Sequence, residues 1–411
     1  MLYQLHEMQR AFLRPLAEFT DAGSQWFSSP YNPLSYTPIA RQMAASLALV
    51  HRIGKEYHKP EWQLHGTEID GKTVAVRETC ALDKPFCRLI HFERELPRNA
   101  AARKDPRVLL VAPLSGHHAT LLRDTVRALL PAHDVYVTDW VDARMVPLAA
   151  GPFHLDDYVH YVQEFIRMLG ADTDLHVISV CQPTVPVLAA ISLMASADEP
   201  VQARTMTMMG GPIDPRQSPT QVNGLATTKP YEWFETQLIH MVPGNYRGAG
   251  RRVYPGFLQH AGFIAMNPDR HLKSHYDFYL DLLRGDDGDA EAHVRFYDEY
   301  NAVLDMPAEF YLDTIRTVFQ EFRLPSGTWV VDGQPVRPAD IRKTALLTIE
   351  GELDDISGQG QTRAAIDLCR GIPAARKQHY LAQGAGHYGI FAGRRWRETI
   401  CPKIAAFIRQ S

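Results

Sequence analysis

The chain has 411 residues, a formal net charge of −4 and a pI of about 6.5. This length suffices for one large α/β domain with insertions or for two domains, and it can bury a core without disulfides or metal. The slight acidity and the absence of a run of Lys or Arg argue against nucleic acid as a partner.

The cysteines and the first residues indicate the compartment. Five cysteines show neither even pairing nor Cys-x-x-Cys spacing, which favours a reducing compartment and predicts neither a disulfide framework nor a zinc site. The first ten residues include Glu7 and lack an apolar core, so they do not resemble a secretory signal. No apolar run approaches the length of a membrane span. We therefore expect a soluble, cytoplasmic protein.

The N-terminal segment has the periodicity of helices. Apolar residues recur at helical spacing from Leu2 to Phe19, and Pro15 inside this pattern should kink or split the helix. A second helix is predicted at about 39–53. We expect residues 1–62 to form a helical arm that packs against the core or a sister subunit, an interpretation favoured over contact with a membrane or a polymer.

The next segment changes to a period of two and then to buried strands. Residues 67–69 and 72–80 flank Asp70-Gly71, a good hairpin turn, and 87–93 gives another strand. Short apolar runs at 108–112, 134–139, 175–180 and 204–209 then alternate with predicted helices at 119–130, 155–169 and 185–195. Such alternation is typical of a parallel sheet that is covered on both faces.

A long, aromatic-rich helical block interrupts this pattern. The strand pattern resumes at 344–349 and 378–381, and a last helix is expected at about 397–408. An insertion between two strands of one sheet should lie on top of it as a cap. We therefore expect an α/β core formed by residues 63–214 and 339–411, with an inserted helical cap at 215–338.

The segment from Asp174 to Val185 carries the main catalytic signal. A buried strand runs into Cys181, and a sharp turn and a helix follow. This is the layout of a nucleophile elbow in the α/β-hydrolase fold, with a thiol as the exposed nucleophile. Free cysteines are often merely buried, but the break from strand to helix at Cys181 argues against an inert core thiol.

An acid and a histidine follow in the order that this fold uses. Asp354 lies just past the predicted strand 344–349, and His387 lies in a glycine-rich loop after the last strand. Because each follows a strand end, we expect both to meet Cys181 at the carboxyl edge of the sheet. Asp355 competes with Asp354 for the role of the acid, and the spacing after Gly351 favours Asp354.

The oxyanion hole should use two backbone N–H groups. One is expected from Gln182, which follows the nucleophile, and the other from Leu114 or Ser115 in the loop after strand 108–112. The adjacent His117-His118 pair lacks further residues at metal-ligand spacing, so we interpret both as loop residues near the mouth of the site, and no metal is expected.

Several motifs together resemble the intracellular poly(3-hydroxybutyrate) depolymerases. The matching stretches run over nearly the whole chain: Ser179-Val-Cys181-Gln-Pro183, Asp139-Trp-Val-Asp142, Met208-Met-Gly-Gly-Pro-Ile-Asp214, Gly351-Glu-Leu-Asp354-Asp-Ile-Ser-Gly358 and Gly386-His387-Tyr-Gly-Ile-Phe391. The resemblance implies an α/β-hydrolase fold and a triad of Cys181, Asp354 and His387. It also implies a granule-stored polyester as substrate, with neither a metal nor a bound cofactor.

Two other functional classes stay open. Polyhydroxyalkanoate synthases resemble the chain at Tyr300–Tyr311 and also use a cysteine, but they keep glycines around it and usually have a histidine after the acid; here these positions are Ser179, Pro183 and Asp355. A non-catalytic granule protein is the third class. In a depolymerase, water or coenzyme A would accept the acyl group. The sequence does not fix the oligomeric state, and a homodimer is one option.

Overall fold

The computed structural model describes residues 2–96, 104–266, 268–285 and 287–411. Part of the predicted loop after strand 87–93 therefore lies outside the described residues. Within the described ranges, no helix combines the length and the apolar character that a membrane crossing requires.

A nine-stranded sheet forms the centre of the fold. Its strands follow the order β1-β2-β3-β5-β4-β6-β7-β13-β14. The strands of this sheet and of two small additional sheets are β1 Gly66–Ile69, β2 Lys72–Asp83, β3 Cys87–Arg94, β4 Arg107–Val111, β5 Asp134–Trp140, β6 Leu175–Val180, β7 Thr205–Met209, β8 His240–Met241, β9 Arg252–Tyr254, β10 Met306–Pro307, β11 Val330–Val331, β12 Gln334–Pro335, β13 Ala345–Gly351 and β14 Lys377–Ala382.

The helices precede the sheet, connect its strands and fill the insertion. They are α1 Leu2–Ser28, α2 Pro38–Gly54, α3 Arg123–Leu129, α4 Leu155–Leu169, α5 Thr184–Ser196, α6 Gln221–Thr228, α7 Tyr231–Leu238, α8 Gly256–Met266, α9 Pro268–Arg284, α10 Asp287–Asn301, α11 Ala308–Thr314, α12 Arg323–Ser326, α13 Ala364–Leu368, α14 Gly393–Arg395 and α15 Cys401–Gln410.

The direction of the strands confirms the predicted α/β-hydrolase fold. Strands β1, β2 and β3 pair antiparallel at one edge, and β3 pairs antiparallel with β5. From β5 through β4, β6, β7 and β13 to β14, all pairings are parallel. Every residue of β6, β7 and β13 is buried, as their continuous apolar runs predict for strands that are covered on both faces.

The N-terminal arm is a helical hairpin of α1 and α2. Of the kink or split predicted at Pro15, the split is wrong, because α1 continues as one helix through this residue, and the kink stays a prediction. Proline removes the N–H that would bond the carbonyl of residue 11. Ala11 is exposed, so water can bond this carbonyl instead. The predicted hairpin turn is confirmed, since Asp70 and Gly71 both have positive φ (50° and 74°).

The segment between β7 and β13 is largely helical, as predicted for the insertion. The sequence did not predict the short strands β8 to β12, which have only two or three residues each. Such short pairs carry too little periodicity to be recognised. The division of the chain into an arm, a core and a cap stays a prediction, and we call residues 215–338 the insertion.

Candidate active site

Cys181 has the backbone geometry of a nucleophile elbow. It follows the end of β6 directly, and α5 begins three residues later. Its φ of +69° is in the left-handed region, which a non-glycine residue adopts only when its surroundings hold it there. The Cys181 N–H donates to the Met209 carbonyl at 2.7 Å. The turn thereby ties the thiol to the end of the neighbouring strand β7.

The space for this turn comes from a glycine pair on that neighbouring strand end. A Cβ on Gly211 would overlap the Cys181 carbonyl and the Thr184 side chain, and a Cβ on Gly210 would lie 3.3 Å from both Asp354 Oδ2 and His387 Cε1. The elbow itself carries Ser179 and Pro183 in place of the usual flanking glycines. Steric relief at this site therefore depends on Gly210 and Gly211, which sequence reasoning did not single out as functional.

Asp354 and His387 lie together at the same edge of the sheet. The distance from His387 Nδ1 to Asp354 Oδ2 is 2.8 Å, and the Asp354 side chain is fully buried. The other carboxylate oxygen accepts the N–H groups of Ile356 and Ser357 at 2.9 and 2.8 Å. Asp355 is exposed. Of the two neighbouring acids, Asp354 is therefore the one that orients the histidine ring.

The charge of His387 follows from its neighbours. Burial alone would disfavour the protonated ring, but the Asp354 carboxylate and the neighbouring Cys181 side chain outweigh it. The pKa of His387 is consequently raised well above its ordinary value. An imidazolium between a carboxylate and a sulfur can stabilise a thiolate and later donate a proton to a leaving group.

The predicted oxyanion donors lie around the same cavity. Leu114, Ser115 and Gln182 all line it together with Cys181 and His387. Across the described part of the chain, the backbone N–H groups of Leu114, Ser115 and Gln182 donate no hydrogen bond. Because these N–H groups have no acceptor, they can donate hydrogen bonds to an oxyanion.

The loop that carries Leu114 and Ser115 is fixed on both sides. The Ala112 N–H donates to Thr138 Oγ1 at 2.9 Å, and the Ala112 carbonyl accepts the Trp140 indole N–H at 2.8 Å. Beyond the predicted donors, Gln259 of α8 hydrogen-bonds to the Ser115 carbonyl. The Leu304 N–H donates to the Gly116 carbonyl at 2.8 Å. The insertion thus helps to hold the loop in place.

The cavity above the triad has a volume of about 530 Å³. Its walls are mainly apolar. They come from the loops at the carboxyl edge of the sheet and, in the insertion, from α6, α7, α8, α11, the short strands β9 and β10 and the segment after α11. The insertion contributes these apolar lining residues: Val222, Leu225, Ala226, Phe234, Tyr254, Phe263, Met306, Phe310, Tyr311, Ile315 and Phe319. An apolar cavity with a few converging polar groups is the usual form of a site for an uncharged ligand.

The two adjacent histidines of the oxyanion loop are buried. Burial lowers the pKa of His117 to about 4 and that of His118 to about 3, so both rings are neutral at neutral pH. His117 lines the cavity wall, and its Nε2 lies 3.1 Å from the Tyr300 carbonyl. The described residues contain no cluster of His, Cys, Asp or Glu that could hold a metal ion.

A comparison with protein families finds a match for the C-terminal part of the chain. Residues 210–411 match the family model described as PHB de-polymerase C-terminus, which confirms the resemblance for this half and supports an ester hydrolase. No curated protein sequence matches the chain significantly.

Distant similarity is found among solved structures. A monoacylglycerol lipase from Paleococcus ferrophilus has 14% identity and a TM-score of 0.43, and the alignment covers 75% of this chain and 96% of that one. A 2-hydroxy-6-oxo-6-phenylhexa-2,4-dienoate hydrolase from Rhodococcus sp. strain RHA1 has 12% identity and a TM-score of 0.45, with 82% and 100% covered. These relationships are too distant to inform on function.

Proposed function

We propose that this α/β hydrolase, whose residues 210–411 match the family model described as PHB de-polymerase C-terminus, cleaves ester bonds of stored poly(3-hydroxybutyrate) through Cys181, His387 and Asp354. The products are 3-hydroxybutyrate or short oligomers. In this proposal the enzyme acts in the cytoplasm at the polymer granule, and its chemistry needs neither a metal nor a bound cofactor.

The observation that carries the proposal is the setting of Cys181. Its strained backbone holds the thiol at a strand end, in an apolar cavity and beside a buried histidine. The raised pKa of His387 has the direction that a thiolate–imidazolium pair requires. A merely structural cysteine needs none of these features, because burial in an apolar core would suffice.

In the acylation step, the Cys181 sulfur attacks the ester carbonyl carbon of the polymer, and the thiol proton resides on His387. The oxyanion receives hydrogen bonds from the Gln182 N–H and from that of Leu114 or Ser115. When the tetrahedral intermediate collapses, the C–O bond breaks and His387 protonates the departing alkoxide. A 3-hydroxyacyl thioester stays on Cys181, while Asp354 keeps the imidazole oriented.

The thioester is then released by water. His387 takes a proton from water, the hydroxide attacks the thioester carbonyl, and the C–S bond breaks to give the free acid and Cys181. A thiol such as coenzyme A is the alternative acceptor, because thioesters exchange readily with thiols. The apolar walls of the cavity support an uncharged polyester chain as the acyl donor in either case.

A granule assay tests this function. Wild-type protein and Cys181→Ala are incubated with amorphous poly(3-hydroxybutyrate) granules, and soluble hydroxyacid is measured with and without coenzyme A. We expect release by the wild type without coenzyme A and none by the variant, with an unchanged circular-dichroism spectrum. Release that depends on coenzyme A would replace hydrolysis by thiolysis.

The same reagents separate the other functional classes. Polymer accumulation from 3-hydroxybutyryl-coenzyme A would overturn the depolymerase in favour of a synthase. Binding to granules without any turnover by the wild type would instead support a non-catalytic granule protein.

A further inference from the structure

The helical arm is attached to the rest of the molecule through polar and aromatic contacts of α1. The Tyr3 hydroxyl donates to Asp305 Oδ2 at 2.6 Å, and the Tyr246 hydroxyl donates to Glu7 Oε2 at 2.8 Å. These contacts fix which side of α1 faces the body of the protein.

The other side of α1 exposes large apolar side chains. We call this set the arm stripe; with their exposed fractions its members are Leu5 (56%), Met8 (62%), Phe12 (82%), Leu16 (50%) and Phe19 (73%). At 3.6 residues per turn they fall within roughly 80° of the helix circumference. An amphipathic surface helix normally turns such a stripe towards the core. In α1 the orientation is reversed.

Further apolar side chains of the arm are exposed. Trp26 of α1 is 55% exposed. The second helix adds four exposed apolar side chains: Ile39, Met43, Val50 and Ile53. Aromatic side chains carry on the order of 200 Å² each, so Phe12, Phe19 and Trp26 alone expose about 400 Å². With Leu5, Met8 and Leu16 of the same helix added, the exposed apolar area of α1 exceeds what ordinary monomers leave uncovered, which marks an interaction surface.

We propose that the arm stripe docks on the uncharged surface of the solid polyester and holds the cavity at that surface. This inference rests on the proposed function, because the partner is the substrate itself. No member of the stripe is charged, which matches an uncharged polymer. The three acidic and two basic side chains of α1 give no cationic excess, unlike helices that bind anionic lipid.

The attachment of the arm favours the polymer over a second copy of the chain. Phe257 at the start of α8 stacks on His6 with ring centroids 3.9 Å apart and meets the Tyr3 ring edge-on at 5.5 Å. The same helix lines the cavity with Gln259 and Phe263. The stripe is therefore joined to the cavity wall through one helix. Docking on a substrate surface uses this connection, whereas self-association does not.

The test compares two double variants of equal charge change. Phe12→Glu/Phe19→Glu places charges in the stripe, while Gln4→Glu/Ala11→Glu places them on exposed positions of α1 outside it. Binding to protein-free amorphous polyester granules is measured by sedimentation, and turnover is measured on granules and on a soluble 3-hydroxybutyrate trimer. For the stripe variant we expect at least a tenfold loss of granule binding and granule turnover, with unchanged trimer turnover. The control variant should match the wild type.

Several outcomes would overturn the proposal. The proposal fails if the stripe variant binds granules as well as the wild type does. It also fails if the wild-type protein does not bind granules. If light scattering finds a wild-type dimer that the stripe variant dissociates without a change in granule binding, the stripe joins two copies. Equally stripe-dependent binding to phosphatidylcholine vesicles would indicate a lipid surface.

The docking and the chemistry can fail separately. Stripe-dependent binding without any release of hydroxyacid would leave docking in place and overturn the proposed hydrolysis. If a stripe variant binds granules normally and hydrolyses both granules and trimer, the proposed docking is overturned and the proposed hydrolysis stays in place.

Discussion

At the carboxyl edge of the sheet, polar side chains are buried and hydrogen-bonded, whereas on the arm large apolar side chains face solvent. Asp354 is fully buried and accepts three hydrogen bonds. Phe12, by contrast, is 82% exposed. Each arrangement runs against the usual preference of its residue type. A polar group is stable in the interior only when it is paired, and an exposed apolar stripe is expected where a partner covers it.

The difference also affects how each region responds to mutation. The side chains at the carboxyl edge of the sheet are fixed by several contacts, so small displacements there should change the chemistry. The side chains of the arm stripe are half or more exposed, so their replacement should change binding and leave the fold intact. The following experiments probe this contrast.

The largest effect after loss of the thiol is expected at the buried acid. Asp354→Asn should lower kcat on a soluble ester by about 10⁴-fold, because the histidine loses both its orientation and its counter-charge. The matched change Asp355→Asn, at the exposed neighbouring acid, should alter kcat by less than about threefold. Equal losses of kcat in the two variants would show that the contact with His387 does not decide which of the two acids supports catalysis.

A single methyl group behind the elbow should be almost as harmful. Gly211→Ala would overlap the Cys181 carbonyl and the Thr184 side chain, so the turn must shift. A displacement of about 1 Å in the reacting groups lowers activity by about 10²-fold, and we expect at least this loss in kcat.

A second glycine serves as the control for that variant. A Cβ on Gly224 in α6 meets nothing within 4 Å. Gly224→Ala should therefore keep its activity and gain about 0.5–1 kcal/mol in the free energy of unfolding. A fully active Gly211→Ala variant would contradict the role that we assign to the glycine pair.

Much of the candidate site at the carboxyl edge of the sheet could be predicted from the sequence. Buried strands produce continuous apolar runs, and Cys181 and Asp354 each follow one. His387 follows the last strand, β14, which is only partly buried, and the order of the three residues is the one that this fold uses. Their contacts at the strand ends are therefore a consequence of parallel pairing. Gly210 and Gly211 were not identified as functional, because their effect depends on packing against the turn of the neighbouring strand. Such contacts between neighbouring strands leave no periodic signal.

The arm shows a different limit of prediction from sequence. The helical spacing of its apolar residues correctly predicted the helices, but a periodic stripe normally indicates a buried face. Whether the stripe faces the body depends on distant partners such as Asp305 and Tyr246, to which α1 is bonded. The aromatic-rich block of the insertion suggested an apolar groove, but the particular lining residues were hard to predict, since they come from several short helices.

The free energy of unfolding should depend on pH because of the buried pair formed by Asp354 and His387. The pKa of His387 is raised in the folded state, so the stabilisation by its partners is fully present below the ordinary pKa of about 6.5. It is lost as the pH rises through the folded pKa. The difference in unfolding free energy between wild type and Asp354→Asn should therefore shrink from pH 6 upwards, as measured by urea denaturation. A difference that grows with pH would contradict the charged histidine.

The smallest effect concerns the arm and two of its prolines. Pro15 interrupts the hydrogen bonds inside α1, whereas Pro38 begins α2, where its missing N–H is not needed. Pro15→Ala should raise the free energy of unfolding by about 1–2 kcal/mol, since the restored helix bond outweighs the greater freedom of the unfolded chain. Pro38→Ala should change it by no more than about 0.5 kcal/mol. Because Pro15 is itself exposed, a Pro15→Ala variant that unfolds more easily would mean that the proline shapes the helix for its contacts with the body.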